Sequence, residues 1–264
     1  MKDYHTIQVD IDKYTATVWL NRPDLQNAVN NEMLQELTES FQLLNNDNTI
    51  RVIILRGKGK SFSAGADLKN MLTKNKSGFN ENLQDGKLWT QCLSQIYYFS
   101  KPVIAVATGN VFGGGNGLLA AADIVLAEKD TVFSFSEVKI GLAPSTILPY
   151  MLTRLNEHKA KLLMFTGKRI KAIEALQYNL VDFALGQHEM EQTLESLIND
   201  IISASPNGIK EIKCLIRELK KGLNHDQMND LTANSIGRLK ISKEAFEGIS
   251  AFLEKRKPAW NNSK

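Results

Sequence analysis

The segment KPVIAVATGNVFGGGNGLLAAADIVLA spans residues 101–127 and contains the pattern from which the fold class follows. It holds a short β-branched run at 103–107, then glycines and small residues, then a second apolar run at 123–127. Short apolar runs bounded by turn residues are typical of buried strands, and glycines before small residues favour a turn that opens a helix. The segment therefore predicts the order strand, turn, helix, strand.

Strand-like patterns also occur on both sides of this segment. Residues 6–20 form two runs of alternating polarity separated by a turn-rich stretch at 10–13, and residues 51–55 and 132–135 form two further strand-like runs. Alternation of short strands with amphipathic helices is typical of an α/β fold whose strands are covered on both faces. We therefore expect an α/β protein, although this pattern does not fix the order of strands in the sheet.

Helical periodicity is clearest in two regions. The first begins after Asn30 or Asn31 as the expected N-cap, and its apolar residues are Leu34, Leu37, Phe41 and Leu44. From Glu189 onward a helical spacing continues with no strand pattern. We divide the chain into a core at residues 1–200 and a helical region at 201–264. The apolar stripes of this region pack either on the core alone or on both the core and a partner subunit.

Composition and charge narrow the class of protein. The chain has 264 residues, of which 43% are hydrophobic and 23% charged, so it can bury a substantial core. A formal net charge of +3 gives no indication of nucleic acid or an anionic membrane as a partner. Cys92 and Cys214 have neither a disulfide-framework spacing nor a metal-site spacing. With no targeting segment and no long apolar stretch, we expect a reducing, cytoplasmic location.

Residues 73–87 lack a pattern of their own. They are mostly polar, and their two large apolar side chains, Phe79 and Leu83, are too few to establish a period. Patternless segments of this length inside a compact domain are often active-site lids or disordered. We expect a loop here that borders the active site.

Three segments contain candidate functional residues, and the first lies at residues 60–69. It follows a predicted strand and places Ala64, Gly65 and Ala66 just before Asp67. Small side chains let the backbone approach a ligand, so the Ala66 N–H is a candidate donor to a carbonyl or an oxyanion. A tight turn capped by Asp67 explains the same residues without a ligand.

The second segment is the glycine run at residues 109–122. Glycines at the start of a helix let a ligand reach the free N–H groups and the positive end of the helix dipole. The spacing Gly115-x-Gly117-x-x-Ala120, with Glu137 twenty residues after Gly117, also matches a permissive dinucleotide-binding fingerprint. An NAD(P)-binding oxidoreductase is therefore an alternative, although this match leaves the first segment unexplained.

The third segment ends a predicted strand with Glu137, near Phe133, Phe135 and Ile140 in the sequence. A carboxyl group among apolar side chains can have a raised pKa and can act as a general acid or base. The competing interpretation is a structural ion pair with Lys139 or a nearby arginine. The four histidines are scattered and form no competing catalytic or metal-binding pattern.

In this order, the motifs resemble those of the enoyl-CoA hydratase/isomerase (crotonase) superfamily over essentially the whole chain. They are NRPDLQNAVN at 21–30, SFSAGADL at 61–68, the glycine segment at 112–123, FSEVKIGLAP at 135–144, TGKRIKAIEALQYNLVD at 166–182 and FLEKRKPAW at 252–260. The resemblance implies an α/β spiral of ββα units and a helical C-terminal trimerisation region. It also implies trimers that often pair into hexamers, and an acyl-CoA thioester as substrate.

Residue roles follow from the same resemblance. The backbone N–H groups of Ala66 and Gly114 correspond to the two donors of the family's oxyanion hole, and Glu137 corresponds to an acid/base. The residues expected to line the coenzyme A site are Ala64, Ala66, Asp67, Leu68, Lys69 and Gly114, with Lys255, Arg256 and Lys257 as candidates for the phosphates. No metal or redox cofactor is implied, because coenzyme A is part of the substrate.

The sequence departs from the best-known hydratases of this superfamily at Gly117. Those enzymes carry two glutamates, and Gly117 stands at the position of the first, so Glu137 must act without that partner. The pairing of GGGNGLLAAADIVLA with FSEVKIGLAPSTILPYM resembles the bacterial methylglutaconyl-CoA hydratase-like branch, which also tends to have glycine there. A smaller departure is Asn179 in place of glycine; asparagine tolerates the left-handed conformation, so we expect the helix end to be preserved.

These features predict a lyase that adds water to an α,β-unsaturated, branched acyl-CoA resembling 3-methylglutaconyl-CoA, as in leucine degradation. The nearest alternative is an enoyl-CoA isomerase or decarboxylase on the same oxyanion hole, since shuttling a proton needs only one base. A non-catalytic scaffold, including one that binds RNA as some members of the superfamily do, is a further alternative to which the charge balance gives little support.

Overall fold

The structure, a computed structural model, describes residues 2–74 and 78–261. Its strands are β1 (Ile7–Asp12), β2 (Thr15–Leu20), β3 (Val52–Gly57), β4 (Val103–Ala107), β5 (Asn110–Phe112), β6 (Ile124–Glu128), β7 (Val132–Ser134), β8 (Ile170–Lys171) and β9 (Phe183–Leu185). Its helices are α1 (Asn31–Asn46), α2 (Leu68–Lys74), α3 (Phe79–Tyr97), α4 (Gly114–Ala120), α5 (Leu148–Met151), α6 (Glu157–Thr166), α7 (Ala172–Gln177), α8 (Gln187–Ser203), α9 (Pro206–Leu219), α10 (His225–Lys240) and α11 (Lys243–Leu253).

The strands of the described residues form two sheets. The larger has the order β1-β2-β3-β4-β6-β9, in which β1 is antiparallel to β2 and every other pair of neighbours is parallel. The smaller has the order β5-β7-β8, with β5 parallel to β7 and β7 antiparallel to β8. Parallel neighbours require crossover connections, and helices supply most of them here. The predicted α/β class is confirmed.

The first predicted helix is α1, and its details agree with the sequence pattern. Asn30 is the N-cap, because its side-chain oxygen accepts a hydrogen bond of 3.0 Å from the Met33 N–H. The apolar residues that predicted the helix are all buried: Leu34, Leu37, Phe41 and Leu44. The ring of Phe41 meets that of Phe99 edge to face at 5.2 Å, in the core that α1 shares with α3.

The expected loop at residues 73–87 is wrong at both ends, because α2 extends to Lys74 and α3 begins at Phe79. Residues 75–77 lie outside the described residues. The helix buries only its later part, at Cys92, Leu93 and Ile96, whereas the Phe79 side chain is 79% exposed. The early turns therefore show no apolar stripe, and the helix is stabilised by packing further along the chain.

The chain divides into two compact units, Met1–Glu195 and Ser196–Lys264. The division falls within α8, a few residues before the boundary that the sequence suggests. In the second unit, α10 packs against α9 and α11, and the Trp260 indole N–H donates to the Ser203 carbonyl at 2.9 Å. In the first unit, Asn179 follows α7 with a φ of 63°, so the expected left-handed helix end is confirmed. Among the described residues, no helix combines the length and apolar character needed to cross a membrane.

Asn27 fixes the loop that follows β2. Its side chain is fully buried; Nδ2 donates to the carbonyls of Lys58 and Ser61 at 2.9 and 2.8 Å, and Oδ1 accepts from the Arg22 N–H at 2.9 Å. The Asn27 carbonyl in turn accepts a hydrogen bond from the Ser63 hydroxyl. One side chain thus holds together the loop after β2 and the segment that leads to Ala66.

The substitution Asn27→Asp tests this role, because it keeps the shape and the acceptor but removes both donors. We expect the free energy of unfolding to fall by about 2–4 kcal/mol, since two buried carbonyls lose their partners and a carboxylate is buried beside them. Urea unfolding measures the change. Asn48→Asp, at an exposed position, is the matched control and should change stability by less than about 0.5 kcal/mol; equal effects of the two substitutions would contradict the assignment.

Candidate active site

The Ala66 amide is turned outward by a short parallel bridge between Val29 and Ala66. The hydrogen bonds of the bridge run from the Val29 N–H to the Gly65 carbonyl at 2.7 Å, and from the Asp67 N–H to the Val29 carbonyl at 2.9 Å. In a parallel bridge the residue between two bonded neighbours points its own N–H and carbonyl away from the partner. The Ala66 N–H accordingly forms no hydrogen bond within the described residues.

The Gly114 amide lies beside this segment. Gly114 is the first residue of α4, so its N–H has no acceptor within the helix. A methyl group at Gly65, where φ is +88°, would lie 2.6 Å from the Phe112 carbonyl oxygen and 3.4 Å from the Gly114 nitrogen. Glycine at 65 therefore allows the two backbone segments to touch, and two unpaired amide donors are held near each other.

Glu137 lies next to the same glycines. It opens the 3-10 helix after β7, and a methyl group at Gly113, where φ is +47°, would lie 3.1 Å from its Oε1. Its Oε2 is buried and has no hydrogen-bond partner among the described residues, so the competing ion pair with Lys139 does not form. Burial raises the pKa of the Glu137 carboxyl above its usual range.

Trp89, on α3, is a site residue that the sequence interpretation missed. A methyl group at Gly114 would lie 2.4 Å from Cη2 of the Trp89 indole, so the ring covers the Gly114 backbone. The only available sequence signal was a tryptophan just beyond the segment predicted to border the site. The part of α3 that carries Trp89 therefore reaches the glycines, although as a helix and not as a loop.

The position of Gly117 is filled by a neighbouring side chain. A methyl group there would lie 2.2 Å from Cγ2 of Ile147 and 2.8 Å from its Cβ, and Ile147 is itself buried. Gly115 is also crowded, since a methyl group there would lie 2.9 Å from Ser63 Cβ. Both glycines thus serve helix packing, and the dinucleotide-binding alternative loses its structural basis because neither opens onto a ligand-sized space.

Asp67, Leu68 and Lys69 of the expected coenzyme A site lie at the start of α2. Asp67 caps that helix by accepting from the Asn70 N–H at 3.2 Å, and it pairs with Arg22 at 3.1 Å. The capped-turn interpretation of Asp67 is therefore confirmed, whatever it contacts in addition. The Ala64 N–H is used by the Gln26 carbonyl, and Leu68 is half exposed.

The basic residues of the second unit differ from one another. The Arg256 guanidinium is bound by the carboxylates of Glu247 and Glu254, each at 2.6 Å. Lys255 and Lys257 form no ion pair within the described residues. Of the three candidates for the coenzyme A phosphates, these two lysines retain an uncommitted charge.

One cluster of potential metal ligands appears that sequence spacing does not suggest. His5, Glu32 and Glu36 bring three ligand atoms within 4.8 Å of one another. The Glu36 carboxylate already accepts hydrogen bonds from the N–H groups of His5 and Thr6 and from the Thr6 hydroxyl. The cluster therefore fixes the entry to β1 on α1, and nothing links it to Glu137.

Two adjacent amide donors, a carboxyl of raised pKa and a covering indole can polarise a carbonyl and move a proton next to it. A model of the enoyl-CoA hydratase/isomerase family matches residues 10–263. The chain belongs to this family. It has the fold of the family and is an enzyme of the enoyl-CoA hydratase/isomerase type.

Relatives within the family include both reaction types. The chain is 32% identical over 246 residues to the short-chain-enoyl-CoA hydratase of Clostridium acetobutylicum, covering 92% of each chain. It is 27% identical over 258 residues to the trans-2-decenoyl-acyl-carrier-protein isomerase of Streptococcus mutans, covering 97% of this chain and 98% of the other. The crystal structure of an enoyl-CoA hydratase from Shewanella pealeana superimposes with a TM-score of 0.93 at 32% identity, covering 97% and 96% of the two chains.

The substitution Gly117→Ala tests the packing at position 117, where the two-glutamate hydratases have their first glutamate. Glycine to alanine within a helix normally stabilises by up to about 1 kcal/mol, but here the new methyl group overlaps Ile147, so we expect a loss of about 1–3 kcal/mol. Gly237→Ala in α10, where no atom lies within 4 Å of the new carbon, is the matched control and should stabilise. Urea unfolding measures both.

A double-mutant cycle of Gly117→Ala with Ile147→Ala completes this test. Ile147→Ala alone leaves a cavity and destabilises, whereas in the Ile147→Ala background Gly117→Ala should cost less, because the overlap with Cγ2 is removed and only the contact with Cβ remains. Additive effects of the two substitutions, or a stabilising Gly117→Ala, would show that Ile147 does not fill this position.

Proposed function

We propose that this enzyme adds water to an α,β-unsaturated acyl-CoA with Glu137 as its only carboxyl group at the reacting carbons. The observation that carries the proposal is the Glu137 carboxyl, with one buried and unpartnered oxygen, placed against Gly113, the residue before Gly114. Family membership supports the substrate class, since members are named for enoyl-CoA chemistry.

In the proposed mechanism, the thioester carbonyl accepts hydrogen bonds from the N–H groups of Ala66 and Gly114. The Glu137 carboxylate takes a proton from water while the water oxygen bonds to the β-carbon, and the electron pair of the double bond moves onto the thioester oxygen. The resulting enolate then takes that proton at its α-carbon and Glu137 is ionised again. Each amide donor of such a hole typically lowers the barrier by about 2.7–4 kcal/mol.

A single carboxyl group is consistent with the packing around Gly117. In a two-acid scheme the second carboxyl would start from this position, which Ile147 fills. Glu137 therefore performs both proton transfers, and its raised pKa makes the carboxylate a stronger base for the first of them.

The acyl group remains part of the proposal. A branched substrate resembling 3-methylglutaconyl-CoA, as in leucine degradation, rests on the sequence resemblance of residues 113–127 and 135–151 to that branch. We propose that coenzyme A lies along residues 64–69 and that no metal or redox cofactor takes part. Both cysteines are free, which supports a reducing compartment such as the cytoplasm.

The alternative is an isomerase or decarboxylase on the same two donors. A single carboxyl is the observation that favours it, because a proton shuttle between α and γ carbons needs one base and no water. Product mass after reaction of 3-methylglutaconyl-CoA, and of crotonyl-CoA as an unbranched control, in water enriched in heavy oxygen separates the two. Label in the product supports hydration, and turnover without label overturns it.

The variant Glu137→Gln should lower turnover about a hundredfold or more while coenzyme A binding is kept. It should also stabilise the fold at neutral pH. Since burial raises the folded-state pKa, ionised Glu137 reduces stability as the pH rises through that pKa, and the neutral amide avoids this loss. The gain should shrink at acidic pH, where Glu137 is protonated.

Glu189→Gln is the matched control for this experiment. The Glu189 carboxylate accepts a hydrogen bond from the Gly186 N–H, which lowers its pKa, so its removal should give no stability gain at neutral pH. Its turnover should equal that of the unmodified enzyme. Steady-state rates and thermal melts from acidic to neutral pH measure both properties; near-normal turnover in Glu137→Gln would refute the assigned role.

We further propose that the second unit mediates assembly into trimers or pairs of trimers. One face of α11 exposes Phe246, Ile249, Phe252 and Leu253, each between 58% and 83% exposed. Apolar side chains so exposed and so close together on one helix usually meet a partner.

The double variant Phe246→Asp/Phe252→Asp should reduce the molar mass in solution, because charges on this face oppose its burial. Light scattering after gel filtration measures the mass. Leu43→Asp, at a 52% exposed position on α1, is the matched control and should leave the mass unchanged. A monomeric unmodified protein, or an unchanged mass in the double variant, would contradict the proposal.

A further inference from the structure

A cavity of about 450 Å³ lies against the smaller sheet, in the first unit. Its walls come from the end of β5, the end of β7 with the turn that follows, and the turn between α6 and β8. The lining residues are Phe112, Ser134, Ser136, Lys139, Gly167, Lys168 and Arg169. Its volume is in the range of cavities that hold small organic ligands.

The lining of this cavity is strongly basic. It contains three cationic side chains and no acidic one. Lys168 is neutralised from outside the lining by Glu174, at 2.5 Å. Within the described residues, Lys139 and Arg169 form no ion pair, and the Ser136 hydroxyl makes no hydrogen bond. Two positive charges and one hydroxyl donor therefore face the cavity without a partner.

The fold fixes the positions of both uncommitted cations. Gly167 ends α6 with a φ of +56°, and a methyl group there would lie 2.9 Å from Cε of Lys139, so glycine lets the lysine chain lie across the turn. The Arg169 guanidinium stacks over the Phe112 ring, with Cζ 5.4 Å from the centroid. This cation–π contact restricts where the guanidinium can lie and does not use its N–H donors.

We propose that this cavity binds an oxyanion, a carboxylate or a phosphate group, through Arg169, Lys139 and Ser136. Guanidinium and ammonium groups bind such anions through charge-assisted hydrogen bonds, and the partly enclosed setting strengthens them. The cavity adjoins the active site along the chain, since Phe112 precedes Gly113, and Ser136 and Lys139 flank Glu137. Three sources fit this chemistry: a carboxylate at the far end of an acyl group, a phosphate of coenzyme A, or free phosphate.

The first test measures binding of inorganic phosphate by isothermal titration to the unmodified protein and to Arg169→Gln and Lys139→Gln. We expect saturable binding that each substitution weakens about tenfold, as for loss of one charge-assisted hydrogen bond. Lys171→Gln is the matched control, since this exposed lysine pairs with Asp130 outside the cavity lining, and it should change the affinity by less than about twofold. Absence of saturable binding, or equal loss in Lys171→Gln, would overturn the proposal.

A second test identifies the source of the anion, and it rests on the proposed function for its assay. Glutaconyl-CoA, whose acyl chain ends in a carboxylate, is compared with crotonyl-CoA, which lacks it. If Arg169→Gln raises KM about tenfold for glutaconyl-CoA alone, the site takes the acyl carboxylate. Equal increases for both substrates indicate a coenzyme A phosphate, and unchanged KM values with weakened phosphate binding indicate a separate site for free anions.

The two tests fail independently. If neither thioester is turned over, the proposed function fails while the phosphate titration still decides the cavity. If phosphate does not bind, or if Lys171→Gln weakens its binding equally, the cavity proposal fails while the hydratase assignment is unaffected.

Discussion

The close contact between residues 63–66 and residues 111–114 is the constraint on which the active site depends. Ser63 and Val111 form a parallel bridge, the Phe112 N–H donates to the Ser63 carbonyl at 2.9 Å, and Gly65 has no side chain to hold the two backbones apart. Because backbone N–H groups cannot be adjusted by side-chain rotation, their spacing is set entirely by how closely these segments approach. The Asn27 hydrogen bonds and the Val29 bridge fix one side of the contact, and α4 fixes the other.

Glu137 shows the opposite arrangement, since it is a side chain whose Oε2 is buried without a hydrogen-bond partner among the described residues. A buried carboxyl oxygen without a hydrogen-bond partner is unfavourable when ionised, and the protein retains it at a free-energy loss that the rest of the core offsets. An ion pair or a hydrogen-bond donor at this point would stabilise the carboxylate and make it a poorer base. The same apolar setting that weakens the fold locally therefore prepares the group for proton transfer.

Much of the fold follows from the sequence because local and tertiary preferences agree there. The strand at 103–107, the N-cap at Asn30 and the left-handed residue Asn179 each have a physical cause visible in the chain itself. The early turns of α3 do not, because their polar residues are compatible with loop and helix alike, and only the burial of Cys92, Leu93 and Ile96 further on decides between them. The order of strands in the sheet likewise depends on long-range packing that periodicity does not carry.

The site residues likewise divide into those that the sequence predicts and those that depend on long-range contacts. Ala66, Gly114 and Glu137 can be named from motifs, because each motif is a local turn or strand end. Trp89 over Gly114 and Ile147 against Gly117 cannot, since those contacts join residues that are well separated in the chain. The charges that line the cavity beside β5, β7 and β8 likewise come from segments that have no shared sequence pattern.

The contact between Gly117 and Ile147 also constrains how this chain can evolve. A glutamate introduced at 117 meets a filled space, so the single substitution lowers stability before any second carboxyl can act. A smaller residue at 147 makes room for that side chain, but by itself this change leaves a cavity with no catalytic gain. The two positions are therefore epistatic, and a return to two-acid chemistry requires a less stable intermediate protein whichever change occurs first.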